Sequence, residues 1–139
     1  MPQVFAGFVV GFALSILATP LAAIALVRSN RNSGFAQRAV PEGTNFVALS
    51  MVLHFGAFIT FTAIGMVLGL ALGGIDARRP ADGFGSPNAA FTLLVAALTA
   101  VAVIPALLLP VVRRYALAGG LAFALAFGWA MPWLAEAGK

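Results

Sequence analysis

This chain has no cysteine, only four acidic residues, one histidine and one tyrosine in 139 positions. The missing cysteine excludes disulfides, thiolate metal sites and thiol redox chemistry. So few carboxylates and imidazoles argue against a zinc or di-iron centre, which needs several such ligands converging. Covalent catalysis lacks a nucleophile accompanied by a base and an orienting partner. On these grounds the chain is expected to be non-enzymatic by itself, with no metal site. Charge is scarce as well, at 9% of residues where soluble domains carry about 25%.

The scarcity is unevenly spread. Four blocks, roughly 3–27, 44–75, 88–112 and 116–134, contain no Asp, Glu, Lys or Arg, and every charged residue lies between or after them. Each is long enough to cross the ~30 Å hydrocarbon core of a bilayer, which takes about 20 helical residues. The sequence therefore predicts an all-α, multi-pass integral membrane protein. Its single domain, 1–139, holds four transmembrane helices in an antiparallel bundle with short loops. The N-terminus carries no basic n-region and the first block outruns a typical h-region, so that block is predicted as a helix and not a cleaved signal. A pI of about 11.3 does not imply nucleic acid, because the Lys and Arg are dispersed with no run longer than a pair. They read as topology determinants and as contacts to membrane lipid headgroups.

Arg28, Arg31 and Arg38 lie in the first connection, Arg78 and Arg79 in the second, and Arg113, Arg114 and Tyr115 are expected to form the third. Connections one and three share a side and carry the larger positive charge, which predicts that this side is cytoplasmic and both termini are not. Thr44 or Gly43 is the expected N-cap of the second helix. Ser86 is expected to cap the third, with Pro87 at its first position. Trp129, Trp133 and Lys139 fit an interfacial aromatic belt with a trailing cation.

What the blocks do contain is small residues at a spacing of four. Close backbone approach drives helix association in lipid. The ladders are Gly7, Gly11, Ser15 and Thr19; Gly65, Gly69 and Gly73; Thr92, Ala96 and Ala100; and Gly120, Ala124 and Gly128. Glycine inside a helix costs close to 1 kcal/mol against alanine, so the glycine ladders predict a packing purpose. Pro20 and Pro105 are placed to kink their helices, freeing a carbonyl that a neighbour must satisfy.

His54 is the only ionisable side chain within a block, and intramembrane ionisable groups are functional candidates. Counted from Thr44 it lies at the bilayer midplane; counted back from Ile75 it lies at the cytoplasmic interface. Three readings follow. The plainest is a neutral imidazole hydrogen-bonded to Ser50 or to a facing helix. Another is a haem or chlorophyll ligand flanked by Phe55, Phe58 and Phe61. The last is a transport or quinone role.

These features point first to a structural or accessory subunit of a larger integral-membrane complex of respiratory, photosynthetic or transport type, with other membrane subunits as partners. A homo-oligomeric channel or transporter is the alternative, its pore lined by Ser15, Thr19, Asn45, Ser50, His54, Thr60 and Thr62 from several copies. A pigment- or haem-binding subunit using His54 is the third possibility. The segment from Arg28 to Glu42, containing Arg31 and Arg38, is the expected docking surface for a partner or for anionic lipid. It is longer than the 2–8 residues that usually join bundle helices.

Overall fold

The computed structural model describes residues 2–30, 45–78, 88–108 and 113–138, with side chains for 2–24, 45, 47–78, 88–108 and 113–138. Among these residues the protein is all-helical, with no strand. Helix α1 is Pro2–Asn30, α2 is Phe46–Asp76, α3 is Ala89–Leu107 and α4 is Arg113–Leu125. A π-helical turn, Ala126–Ala130, joins α4 to α5, Met131–Ala137. With α4, the π turn and α5 taken as one rod, four helices are long and apolar enough to cross a membrane: Pro2–Ile24, Val47–Asp76, Ala89–Leu107 and Arg113–Ala137.

The helix ends differ from the sequence expectation in instructive ways. Asn45, not Thr44 or Gly43, caps α2, its side-chain oxygen accepting from the Val47 N–H at 2.9 Å. Asn88, not Ser86, caps α3 and accepts from the Phe91 N–H at 3.3 Å. Asparagine caps as well as serine, and Asn88 is also fixed across the turn by donating to Asp76 Oδ1 at 2.9 Å. Arg113, Arg114 and Tyr115 are not a loop but the first turn of α4. The third helix stops at Leu107 instead of running to 112, with Pro105 in its last turn. Pro105 is thus a terminator and not a mid-helix kink. Charge marks where lipid ends, which need not be where the helix ends. Gly43, Thr44, Ser86, Pro87, Arg31, Arg38 and Lys139 lie outside the described residues, as does the Arg28 side chain.

The hydrophobic core comprises Ala6 and Val10 of α1, Leu68 and Leu72 of α2, Phe91 and Val95 of α3, and Phe127, Met131 and Ala135 of the fourth rod. All of these sit toward one end of the molecule. That end gathers the α1 N-terminus, the Asp76–Asn88 hydrogen bond and the α5 C-terminus, where a Cβ on Gly138 would lie 3.6 Å from Pro2 Cβ. α1 packs along α2, α3 packs along α4, and the two pairs meet through α1 against α5 and the π turn. Among the described residues of the other half only Ser15 is fully buried, and α4 contributes no buried residue. Among the described residues, the shared core of the two helix pairs therefore lies at one end.

The π turn has a local cause. Pro132 has no N–H to offer the carbonyl one turn back, that of Gly128. Thr92 Oγ1 donates to this carbonyl instead, at 2.8 Å from α3. The Met131 N–H reaches back five residues to the Ala126 carbonyl, so the rod carries one extra residue in this turn. The insertion turns Phe127 and Met131 into the core. Trp129 and Trp133 remain on the outer face, 54% and 42% exposed.

Candidate functional site

Polar side chains inside the apolar segments gather where α1 and α2 cross. The crossing is built on glycine. A Cβ placed on Gly7 would overlap the Gly65 carbonyl group, standing 2.6 Å from its carbon. One placed on Gly65 would stand 2.8 Å from the Gly7 carbonyl carbon. On Gly69 it would be 2.5 Å from the Gln3 oxygen, and on Gly11 2.7 Å from the Phe61 carbonyl carbon. These are backbone-to-backbone contacts that any side chain would force apart, as small-residue packing in lipid requires. Four residues up α1 match four residues down α2, so the helices are antiparallel and in step.

Gly73 lies beyond the crossing, with only a 4.0 Å approach to the Gln3 side chain. In the fourth rod a Cβ on Gly120 would be 2.5 Å from Val103 Cγ2, whereas on Gly128 it would meet Val95 at an ordinary 3.6 Å. The expected α3 ladder does not form its packing face. Ala96 and Ala100 are exposed, while Phe91 and Val95 are buried one step around the helix. With Gly120 and Gly128 opposite, α3 can place large residues at the contact.

One turn above Gly11, the α1–α2 seam becomes polar. Ser15 is fully buried and donates to its own helix at the Phe12 carbonyl, 2.7 Å away. Thr19 Oγ1 lies 2.8 Å from the Ser15 carbonyl and 3.1 Å from His54 Nδ1. The hydroxyl has one proton, and a carbonyl cannot donate, so that proton goes to Ser15. The Thr19 oxygen then accepts from His54, which must carry its proton on Nδ1. The proton position is assigned from this bonding pattern. Thus His54 is held by the facing helix. Phe58 packs edge-on against Phe8 and Phe12, with centroids 6.4 and 5.9 Å apart, and so belongs to the seam. Phe55 lies 6.2 Å from the imidazole, on an exposed face.

Depth along α2 can be read from the Asp76–Asn88 end. About 33 Å of helix separates Asp76 from His54 at 1.5 Å per residue. The neighbouring α3 is 19 residues long, about 28 Å. His54 therefore lies near the level where α3 ends and α4 begins.

The seven pore candidates do not share one face. Ser15 and Thr62 are enclosed in the α1–α2 seam, and Thr62 donates to the Phe58 carbonyl at 2.6 Å. Thr19 and His54 bond each other across it. Ser50 is half-buried, Thr60 faces outward, and Asn45 is spent on capping. Sequence reading missed the Asn88–Thr92–Gly128 connection. Its signal was a threonine in α3 with a proline four residues after a glycine in the fourth rod. Among the described residues no group of three or more His, Asp or Glu is placed to hold a metal. Comparison with protein-family models, curated proteins and solved structures finds no match.

Proposed function

We propose that this chain is a multi-pass membrane protein acting as a non-catalytic structural or accessory subunit of a larger integral-membrane complex, with both termini on the non-cytoplasmic side. The observation that carries this reading is the one-ended packing. Half of each helix pair is left without a core of its own, while the closed end is joined through glycine contacts, the Asn88–Asp76 bond and the Thr92–Gly128 bond. A rigid end and an unfilled end suit a scaffold that neighbouring subunits complete. The segment bearing Arg28, Arg31 and Arg38 is the proposed docking surface for such a partner or for anionic lipid.

One observation favours a cofactor-binding reading as the second choice. A neutral imidazole whose Nδ1 proton is held by Thr19 would have Nε2 as its ligating nitrogen for haem iron or chlorophyll magnesium. The homo-oligomeric channel ranks below both, because its candidate lining residues face in different directions.

Purification from native membranes in mild detergent tests all three. A defined heteromeric particle of reproducible mass, without a visible absorbance band tied to this chain, supports the accessory subunit. A band that disappears in His54→Ala establishes the cofactor reading. A monodisperse homo-oligomer that conducts ions in planar bilayers overturns both.

A further inference from the structure

The π turn shifts the register of everything above it in the fourth rod. Two turns of regular α-helix take about seven residues, so an unbroken helix that turned Gly128 toward α3 would set Leu121 toward it as well. The structure has Gly120 there instead. A Cβ on Gly120 would lie 2.5 Å from Val103 Cγ2 and 3.7 Å from Val103 Cβ, and one on Gly128 would lie 3.7 Å from Val95 Cβ. The extra residue between Ala126 and Ala130 makes up the difference. Ala116 and Ala124, four residues to either side of Gly120, are half-buried, while Leu117, Leu121 and Leu125 are exposed. α4 thus carries two neighbouring stripes, one of small residues and one of leucine, a single residue apart.

Two groups hold the small stripe in place. In a regular helix the Pro132 ring would press on the Gly128 carbonyl one turn back. Here that carbonyl accepts from Thr92 Oγ1 at 2.8 Å. The same hydroxyl stands 3.2 Å from the Asn88 carbonyl of its own helix. It has one proton for two acceptors, so Thr92 stays bonded when it releases Gly128. Below the turn the rod is seated on the α1–α2 crossing: Phe127 Cε1 stands 3.0 Å from where a Gly65 Cβ would be, and Met131 Sδ 3.3 Å from that of Gly7. Above it, α4 has no buried residue to expose. When the extra residue is absorbed into regular helix, α4 is therefore the part that turns, by about 100° with a rise of about 1.5 Å.

We propose that α4 is a two-position helix, latched by Thr92 with its small stripe against α3 and turning to its leucine stripe when the π turn relaxes to regular helix. In the first position glycine lets the two helices approach closely. In the second, Leu121 stands against Val103 and the axes move apart, since interaxial distance follows the side chains at the contact. Arg113, Arg114 and Tyr115, in the first turn of α4, are carried round with it. The device works within one chain and is independent of the accessory-subunit reading.

The chain has no cysteine, so introduced pairs report the register without background. Val103→Cys is combined in turn with Gly119→Cys, Gly120→Cys and Leu121→Cys in the full chain in lipid vesicles. Disulfide formation under mild oxidation is followed by peptide mass spectrometry. Cβ atoms about 3.8 Å apart suit a disulfide, and Val103→Cys removes the Cγ2 that a Gly120 Cβ would meet. The 103–120 pair should close fastest and the 103–121 pair next, ahead of 103–119, which neither position brings together. Thr92→Val should raise the ratio of 103–121 to 103–120 closure about fivefold, the usual net contribution of one hydrogen bond. Pro132→Ala should reverse the preference. Closure of 103–121 no faster than 103–119 overturns the proposal. So does a ratio left unchanged by Thr92→Val and by Pro132→Ala in folded protein. The comparison of 103–121 with 103–119 decides the matter even if neither variant folds.

Discussion

Replacing Gly65 with alanine and Gly56 with alanine adds the same methyl group to the same helix, with opposite consequences. At Gly65 the new Cβ would stand 2.8 Å from the Gly7 carbonyl carbon and 3.0 Å from Phe127 Cε1, whereas at Gly56 nothing lies within 4 Å. Carbon contacts are favourable at about 3.5–4.0 Å, so α1 and α2 must part by roughly 1 Å to admit the first methyl. A gap of that size forfeits a quarter to a half of each contact's attraction. The loss falls on Gly11 and Gly69 as well, because the helices are in step. Overpacking usually costs 1–3 kcal/mol, and here the obstacle is backbone, which cannot rotate away. Gly65→Ala is therefore expected to cost about 3 kcal/mol, roughly a hundredfold in the unfolding constant. Gly56→Ala meets no obstacle and is expected to gain up to about 1 kcal/mol from helix propensity. Reversible unfolding in mixed micelles with increasing denaturing detergent measures both. Equal effects, or a neutral Gly65→Ala, would refute the argument that the crossing depends on backbone approach.

Thr92→Val removes the donor to the Gly128 carbonyl and should cost about 1–2 kcal/mol. In a Pro132→Ala background, where the helix can supply its own N–H, that loss should shrink, so the coupling energy of the double-mutant cycle checks the cause of the π turn. Nitrogen-15 NMR of selectively labelled His54 should report the proton on Nδ1, and Thr19→Val should weaken that preference; an Nε2–H imidazole in the unaltered protein would show that Thr19 donates to the ring instead. A reporter active only in the cytoplasm, fused after Lys139, should be silent, and a strong signal would reverse the proposed orientation. Converting Arg28, Arg31 and Arg38 to Gln should weaken retention of partner or anionic lipid at low salt, each arginine contributing about 1 kcal/mol near an anionic surface. Unchanged retention would leave that segment a linker.

The four helices long and apolar enough to cross a membrane were legible in the sequence because a bilayer imposes a one-dimensional rule: apolar runs of sufficient length, with charge excluded. That rule needs no knowledge of which helix touches which. The Gly7–Gly11 and Gly65–Gly69 ladders were legible for a related reason, since glycine in a helix has a cost that packing must offset. The same rule misread Arg113–Arg114–Tyr115 and the end of α3, because hydropathy locates lipid and says nothing about backbone hydrogen bonds. Three-dimensional packing alone decided the rest. Thr19, not Ser50, became the partner of His54 because the α1–α2 register set by the glycines lays one beside the other. Ala96 and Ala100 turned outward because Phe91 and Val95 fill the space that glycines across the α3 contact leave open. The level of His54 against α3 depended on the Asn88–Asp76 bond, which aligns α2 with the shorter α3. Each of these is a relation between segments far apart in the chain, and no local pattern in either segment encodes it.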